Sequence, residues 1–160
     1  MITHTIVDSH IGPLTLVASD GALSGLFMDD QRHRPDPSTF GEYDARAFAR
    51  ISEQLDAYFD GTLDHFDVEL AVHGTEWQKR VWAGLSAIPY GTTISYGELA
   101  TRVGSPKASR AVGLANGRNP VGIIVPCHRV VGSSGSLTGY GGGLERKRWL
   151  LDHELKVLEG

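Results

Sequence analysis

The sequence predicts an α+β fold in two lobes: residues 1–73 form an antiparallel sheet with one helix, and residues 74–160 are mostly helical. Three observations carry that reading. Before residue 30, apolar residues alternate or run in strand-length stretches, and after residue 44 they recur at helical spacing. Charge changes sign at His73-Gly74: residues 1–73 hold 4 Lys/Arg against 13 Asp/Glu, and residues 74–160 hold 11 against 6. Helix-start signals follow that boundary at once.

In chain order, Thr3–Ser9 and Leu14–Ser19 are strand-like, with Gly12-Pro13 between them. Asp20-Gly21 is a two-residue hairpin signal, and Ala22–Met28 follows as the third strand of a three-stranded antiparallel meander. Gln31–Phe40, interrupted by Pro35 and Pro37, reads as loop. Across Ala45–Phe59, Phe48, Ile51, Leu55 and Tyr58/Phe59 keep helical spacing until Asp60-Gly61 ends the run. This helix is expected to cover one face of the meander. The lobe carries no chemical motif, so its expected role is structural support.

Thr75-Glu76-Trp77-Gln78 is a capping-box pattern opening a helix with Trp77, Val81, Leu85 and Ile88 on one face; Pro89-Tyr90-Gly91 stops it. Ser95-Tyr96-Gly97-Glu98 is a second such pattern, opening a short helix to Arg102. After Gly104, Ser105-Pro106 reads as an N-cap with proline at the first helical position, and the helix runs to about Ala115. Two short helices joined by a glycine-containing turn make a helix-turn-helix pattern, which an αα-corner in an ordinary helical lobe fits equally. Gly132–Gly143 is glycine-rich. Leu144–Leu158 reads as a closing helix with Leu144, Leu151, Leu155 and Leu158 on one side.

The 160 residues, 41% hydrophobic and 21% charged, suit a soluble globular chain of one domain or two small lobes. One cysteine excludes an internal disulfide and a Cys-rich metal site, and fits a reducing cytoplasm. The N-terminus lacks the basic and apolar regions of a signal peptide, and no apolar run approaches the ~20 residues of a membrane span. The net charge of −4 argues against a nucleic-acid binder when read globally. Yet residues 101–150 hold eight bases (Arg102, Lys107, Arg110, Arg118, Arg129, Arg146, Lys147, Arg148) against Glu145 alone. Such a half is suited to an anion such as phosphate, with a solvated charged surface as the equal alternative on charge alone.

The chemistry concentrates in Ile123-Ile124-Val125-Pro126-Cys127-His128-Arg129-Val130-Val131. A lone thiol between apolar β-formers is either inert core or a nucleophile in a rigid frame. Pro126 fixes the turn ahead of the sulfur, and His128 and Arg129 are poor company for an apolar site. A positive group near the sulfur favours the thiolate, so the neighbours tip the balance to a nucleophile.

Together, Ser95-Tyr96-Gly97-Glu98-Leu99-Ala100, Arg110-Ala111-Val112-Gly113, Asn119-Pro120, Pro126-Cys127-His128-Arg129-Val130 and Gly139-Tyr140-x-Gly142-Gly143 resemble the O6-alkylguanine-DNA alkyltransferases, direct-reversal DNA repair proteins. The motifs cover residues 75–155 in order. The resemblance implies a ribonuclease H-like αβ lobe (1–73) and a C-terminal lobe (74–160) holding both helix-turn-helix and cysteine. It implies single-turnover transfer of the alkyl group from O6-alkylguanine in double-stranded DNA to Cys127, with O4-alkylthymine as a further candidate substrate. His128 resembles the base that deprotonates Cys127 through a water, Glu154 the carboxylate that orients it, and Asn119 the brace of the preceding turn. Tyr96, Tyr140, Val130 and Gly139 are the implied substrate-binding residues. Arg110 matches the arginine that fills the gap left by a flipped base. Ala108, Lys107, Ser95, Thr93 and Arg118 complete an implied interface that enters the minor groove through the helix-turn-helix. Arg129 reads either as a DNA contact or as a structural salt bridge. The implied protein is a cytoplasmic monomer, binding DNA singly or cooperatively, with no cofactor, membrane or metal; the zinc site of some relatives is missing its cysteines. Trp77 stands where the family often has Phe, and Asn116 occupies a variable recognition-helix position.

Two other classes compete. A cysteine hydrolase uses a Cys–His pair distant in sequence, unlike the adjacent pair here. A helix-turn-helix regulator without chemistry needs no cysteine motif.

Overall fold

Strands β1 (Ile2–Val7), β2 (Leu14–Ser19) and β3 (Ala22–Met28) form the expected antiparallel meander in the computed structural model, which describes residues 1–160. Asp20 and Gly21 both have positive φ, 50° and 88°, as a two-residue turn matching the strand twist requires. The expected three strands are, however, four. Strand β4 (Glu42–Tyr43) runs parallel to β1, pairing Thr3 with Glu42 and His4 with Tyr43, and the order is β3-β2-β1-β4. Two exposed residues are too few to show an alternation. Gly41 permits the approach: at its φ of 74°, a Cβ would stand 1.9 Å from the Ile2 carbonyl oxygen.

The helix expected from Ala45 begins as a 3-10 turn, Ala45–Phe48, capped by Asp44, and becomes α1 over Ala49–Phe59. Phe48, Leu55, Tyr58 and Phe59 are buried, as the spacing predicts. The outer edge of β3 is closed by the rest of the chain. Leu23 N–H bonds the Glu69 carbonyl at 2.9 Å, and Leu26 N–H bonds that of Pro120 at 2.9 Å. One apolar core therefore runs through both halves, from Leu16, Leu26 and Phe48 to Val81, Leu99 and Cys127.

Helix α2 (Glu76–Ser86) carries the complete capping box between Thr75 and Gln78 and buries Val81, Trp82 and Leu85. Strand β5 (Ile94–Ser95) leads into α3 (Tyr96–Arg102), whose N-cap Ser95 accepts the Glu98 N–H at 3.0 Å. Glu98 does not close a box; it pairs with Arg102 at 2.7 Å. Helix α4 (Ser109–Gly117) starts three residues later than Ser105-Pro106 suggests. The reason lies at the end of α3. Ser105 N–H bonds the Ala100 carbonyl and Gly104 N–H that of Thr101, with Gly104 at φ 86°, a complete left-handed helix stop. Ser105 thus closes the preceding helix, and a turn in which its carbonyl accepts Ala108 N–H at 2.9 Å separates it from α4.

Strand β6 (Val130–Val131) pairs parallel with β5. Helix α5 (Leu144–Glu159) closes the chain with a neighbouring face inward in place of the leucine face expected. Leu144, Leu155 and Leu158 are 49%, 48% and 60% exposed, while Lys147, Leu150 and Glu154 are buried. No helix is long and apolar enough to cross a membrane.

Candidate active site

Cys127 opens a single 3-10 turn, Cys127–Arg129, delivered by two consecutive tight bends. In the first, Ile124 N–H bonds the Gly122 carbonyl at 2.8 Å around Ile123 at φ 70°. A β-branched residue there is strained by about 1–3 kcal/mol and persists only where its surroundings enforce it. In the second, Cys127 N–H bonds the Val125 carbonyl at 2.8 Å around Pro126, whose φ of −81° and ψ of 64° suit its ring. Asn119 holds both ends of the strained stretch. Its Oδ1 accepts Val121 N–H at 3.0 Å, and its Nδ2 donates to the Val125 carbonyl at 2.8 Å.

Glu154, reaching up from α5, is the electrostatic hub. Its Oε1 accepts Gly91 N–H at 3.1 Å and Arg129 Nε at 2.9 Å. Its Oε2 accepts Tyr58 Oη at 2.6 Å, His128 Nε2 at 2.7 Å and Arg129 Nη2 at 3.0 Å. Burial opposes ionisation of this carboxyl, but the hydrogen bonds from His128 and Arg129 and the charge of Arg129 outweigh it and hold it far below the usual range. An ionised carboxylate only accepts, which assigns the proton of His128 to Nε2. Burial drives the His128 pKa down, against the pull of Glu154, so the ring is neutral. Its buried Nδ1 is left as a free base with no partner in the protein. Arg129 is the structural salt bridge of the two expected readings: it is 8% exposed, donates Nη1 to the Ile88 carbonyl at 2.8 Å and lies 5.5 Å over the Tyr90 ring.

Cys127 is 7% exposed, and burial pushes the pKa of its thiol up, against the neighbouring Asn119 amide and Lys147 charge. At rest it is a protonated nucleophile beside a neutral base. Lys147 is a site residue the sequence did not announce. Its Nζ donates to the carbonyls of Val130 at 2.6 Å and Thr138 at 2.8 Å, and burial lowers its pKa to about 8. Tyr58 is a second, arriving from the lobe expected to be mere support. Nothing in the local sequence of α1 or α5 connects residues 96 apart.

A cleft of about 450 Å³ lies over this assembly, lined by Tyr96, Gly113, Leu114, Gly117 and Arg118 and by Gly139, Tyr140 and Gly141 of the glycine-rich segment. Arg32 and His33 of the first lobe and Gln78 complete it. Tyr96 Oη donates to the Thr138 carbonyl at 3.0 Å, and the buried Tyr140 hydroxyl has no partner. Burial raises the pKa of both phenols, and both stand near enough to the sulfur that a thiolate there would raise them further. Gly139, at φ 53°, passes so close that a Cβ would stand 3.3 Å from Tyr96 Oη. Val130 is buried in β6. Lys107 and Arg110 are exposed before and within α4, with Ala108 as its N-cap. Ser95 sits at the mouth of α3, and Thr93 lies apart, lining a separate depression with Val131, Leu137 and Arg148.

Comparison with known proteins places this geometry. Residues 2–72 match the 6-O-methylguanine DNA methyltransferase ribonuclease-like domain, and residues 76–156 match the DNA binding domain of the same enzyme. A methylated-DNA–protein-cysteine methyltransferase of Mycolicibacterium paratuberculosis is 57% identical over 94% of this chain and 91% of its own length. One from Mycobacterium tuberculosis is 55% identical over 96% of this chain and 93% of its own. The crystal structure of Mycobacterium tuberculosis OGT in complex with DNA superposes with a TM-score of 0.93 at 53% identity, covering 97% of this chain and 94% of that one. Matched in both halves and along nearly its whole length, the chain belongs to the methylated-DNA–protein-cysteine methyltransferase family.

Proposed function

We propose that this protein repairs alkylated DNA by direct reversal, moving the alkyl group of O6-alkylguanine to Cys127 in a single turnover. The observation that carries the reading is the protonated thiol placed next to a neutral histidine whose Nδ1 is free and whose Nε2–H is fixed on Glu154. His128 takes the Sγ proton, directly or through one water, and Glu154 stabilises the imidazolium that forms. Sulfur attacks the alkyl carbon, the carbon–O6 bond breaks, and its electron pair goes to the guanine. Guanine N1 regains one proton, matching the one lost by sulfur, so no cofactor or co-reactant is needed. Hydrogen bonds from Tyr96 and the loop around Tyr140 support the departing base. The product is a thioether, a poor leaving group, and no second nucleophile stands by to release it.

The target carbon is inside a stacked base, so the nucleotide must be extruded into the cleft. In this reading α4 enters the minor groove, Arg110 occupies the vacated stack, and Lys107, Ala108, Ser95, Thr93 and Arg118 track the backbone. Incubation with O6-methylguanine duplex followed by peptide mapping is expected to find one methyl group per chain, on Cys127, and none in Cys127→Ser. Product in excess of protein overturns the single-turnover mechanism. Arg110→Ala is expected to slow duplex repair sharply, since flipping costs a few kcal/mol, while free O6-benzylguanine reacts at the original rate. Loss of both rates, or of neither, contradicts its role in extrusion.

A further inference from the structure

The acidic first lobe carries four Lys/Arg, and two of them flank His33 in the loop that reaches the cleft. Arg34 is turned inward, donating Nη2 to Thr15 Oγ1 at 3.1 Å with its guanidinium 5.7 Å from the Phe40 ring centroid. Arg32 and His33 are exposed, and both line the cleft together with Leu114 and Arg118. Arg32 takes part in none of the ion pairs of the protein. Its backbone is nevertheless anchored. Arg32 N–H bonds the Gly141 carbonyl at 2.8 Å, and Gln31 Oε1 accepts Met28 N–H at 2.9 Å. Asp30 and His33 hold left-handed backbone at φ 56° and 61°. The acids of the loop, Asp29 and Asp30, do not line the cleft.

A nucleotide that enters toward Tyr96 and Tyr140 brings its two flanking phosphates to the rim. The end of α4 with Arg118 lines it from the second lobe, and Arg32 and His33 line it from the first. A guanidinium with no internal partner, standing where an otherwise acidic lobe meets the cleft, matches a phosphate in charge and in fork geometry. We propose that Arg32, with His33 beside it, is a DNA contact of the N-terminal lobe, holding a phosphate of the lesion strand next to the extruded nucleotide. The strand is then gripped between the two lobes. This rests on the alkyl-transfer reading above.

The test uses the full-length protein and its Arg32→Ala, Arg32→Glu and Arg46→Ala variants, the last removing an exposed base of the same lobe outside the cleft. Binding to O6-methylguanine oligonucleotides, duplex and single-stranded, is followed across a salt series, together with the rate of alkyl transfer from free O6-benzylguanine. Arg32→Ala is expected to weaken duplex binding about fivefold at low salt and to flatten the log–log salt slope by about 0.9, with a smaller flattening of about 0.7 on the single strand. Arg32→Glu should weaken it further, and the free-base rate should not change. An unaltered slope overturns the assignment, as does equal weakening by Arg46→Ala, and an effect absent from the single strand overturns the lesion-strand contact. Failure of the wild type to take an alkyl group from the free base overturns the alkyl-transfer reading and this proposal with it. Normal transfer with unchanged DNA affinity in the variants overturns only the role of Arg32.

Discussion

Helices α2 and α5 both touch the Cys127–Arg129 turn, and they are built on opposite rules. Helix α2 buries Val81, Trp82 and Leu85, and its tryptophans bond across to α4, Trp82 Nε1 to the Ala115 carbonyl at 2.9 Å and Trp77 Nε1 to that of Ala111 at 3.3 Å. Helix α5 buries a lysine and a glutamate around Leu150 and leaves three leucines in water. Both faces obey the same helical period. They differ in what offsets the cost of burial: contact with apolar neighbours for α2, and a complete set of hydrogen-bond and charge partners for α5. One helix holds the scaffold. The other supplies the groups that set the protonation state of the nucleophile.

The sharpest way to break this contrast is to damage each helix once. Glu154→Gln removes the charge that five donors converge on, and losing one member of a buried ionic network is expected to cost about 3–5 kcal/mol. Leu85→Ala on α2 should cost a comparable amount, about 2–5 kcal/mol, through lost burial and the cavity left behind. Urea denaturation measures both. The variants should part company in chemistry: folded Leu85→Ala reacts with free O6-benzylguanine at the wild-type rate, and folded Glu154→Gln reacts much more slowly. Equal rates in the two would erase the distinction between the helices.

Lys147 gives a contrast within α5 itself, because its burial has a pH signature that no α2 residue carries. Its folded-state pKa of about 8 lies below the ordinary value near ~10.4, so the unfolded chain binds the extra proton between those limits. Stability attributable to Lys147 is therefore lowest below about pH 8, rises as pH climbs from there to about 10.4, and is flat beyond. Lys147→Met, which also leaves the Val130 and Thr138 carbonyls without their donor at a cost of about 1–3 kcal/mol, should lack this rise. Denaturation midpoints of the two proteins at pH 7.5 and pH 10 check it. A constant difference between them would mean that Lys147 is solvated in the folded state.

The same contrast explains what could be read from the chain. The capping box at Thr75, the hairpin at Asp20-Gly21 and the buried face of α2 are local, and their signals survive in a short window. The contact between His128 and Glu154, 26 residues apart, was legible only through resemblance, since on spacing alone Glu154 is a surface residue of a helix with leucines on another side. Those leucines misdirect the eye because α5 is anchored by its polar partners. Strand β4 depends on Gly41 fitting against Ile2. Arg32 joins the cleft through Gly141, more than a hundred residues away. Each of these is a fact of tertiary packing that no window of sequence contains.

The smallest expected effect probes the one place where the supporting lobe touches the chemistry. Tyr58 is 1% exposed and gives its hydroxyl proton to Glu154 Oε2 at 2.6 Å. Burial, followed by the charge and hydrogen bond of Glu154, raises its pKa far above the ordinary range, so the phenol is a permanent donor and never a base. Tyr58→Phe keeps the ring and its stacking on Phe66, and removes only the hydroxyl. Four donors to the carboxylate remain, two of them from Arg129, so Glu154 stays ionised and His128 keeps its tautomer. A hydrogen bond to a charged group typically contributes about 1.5–3 kcal/mol, and the redundancy here favours the lower end. The expected outcome is a loss of about 1.5 kcal/mol in urea denaturation with a free-base reaction rate within about threefold of wild type. If the rate instead falls as far as in Glu154→Gln, with stability little changed, Tyr58 is a positioning residue of the reaction, and the first lobe shares in the chemistry that α5 otherwise supplies.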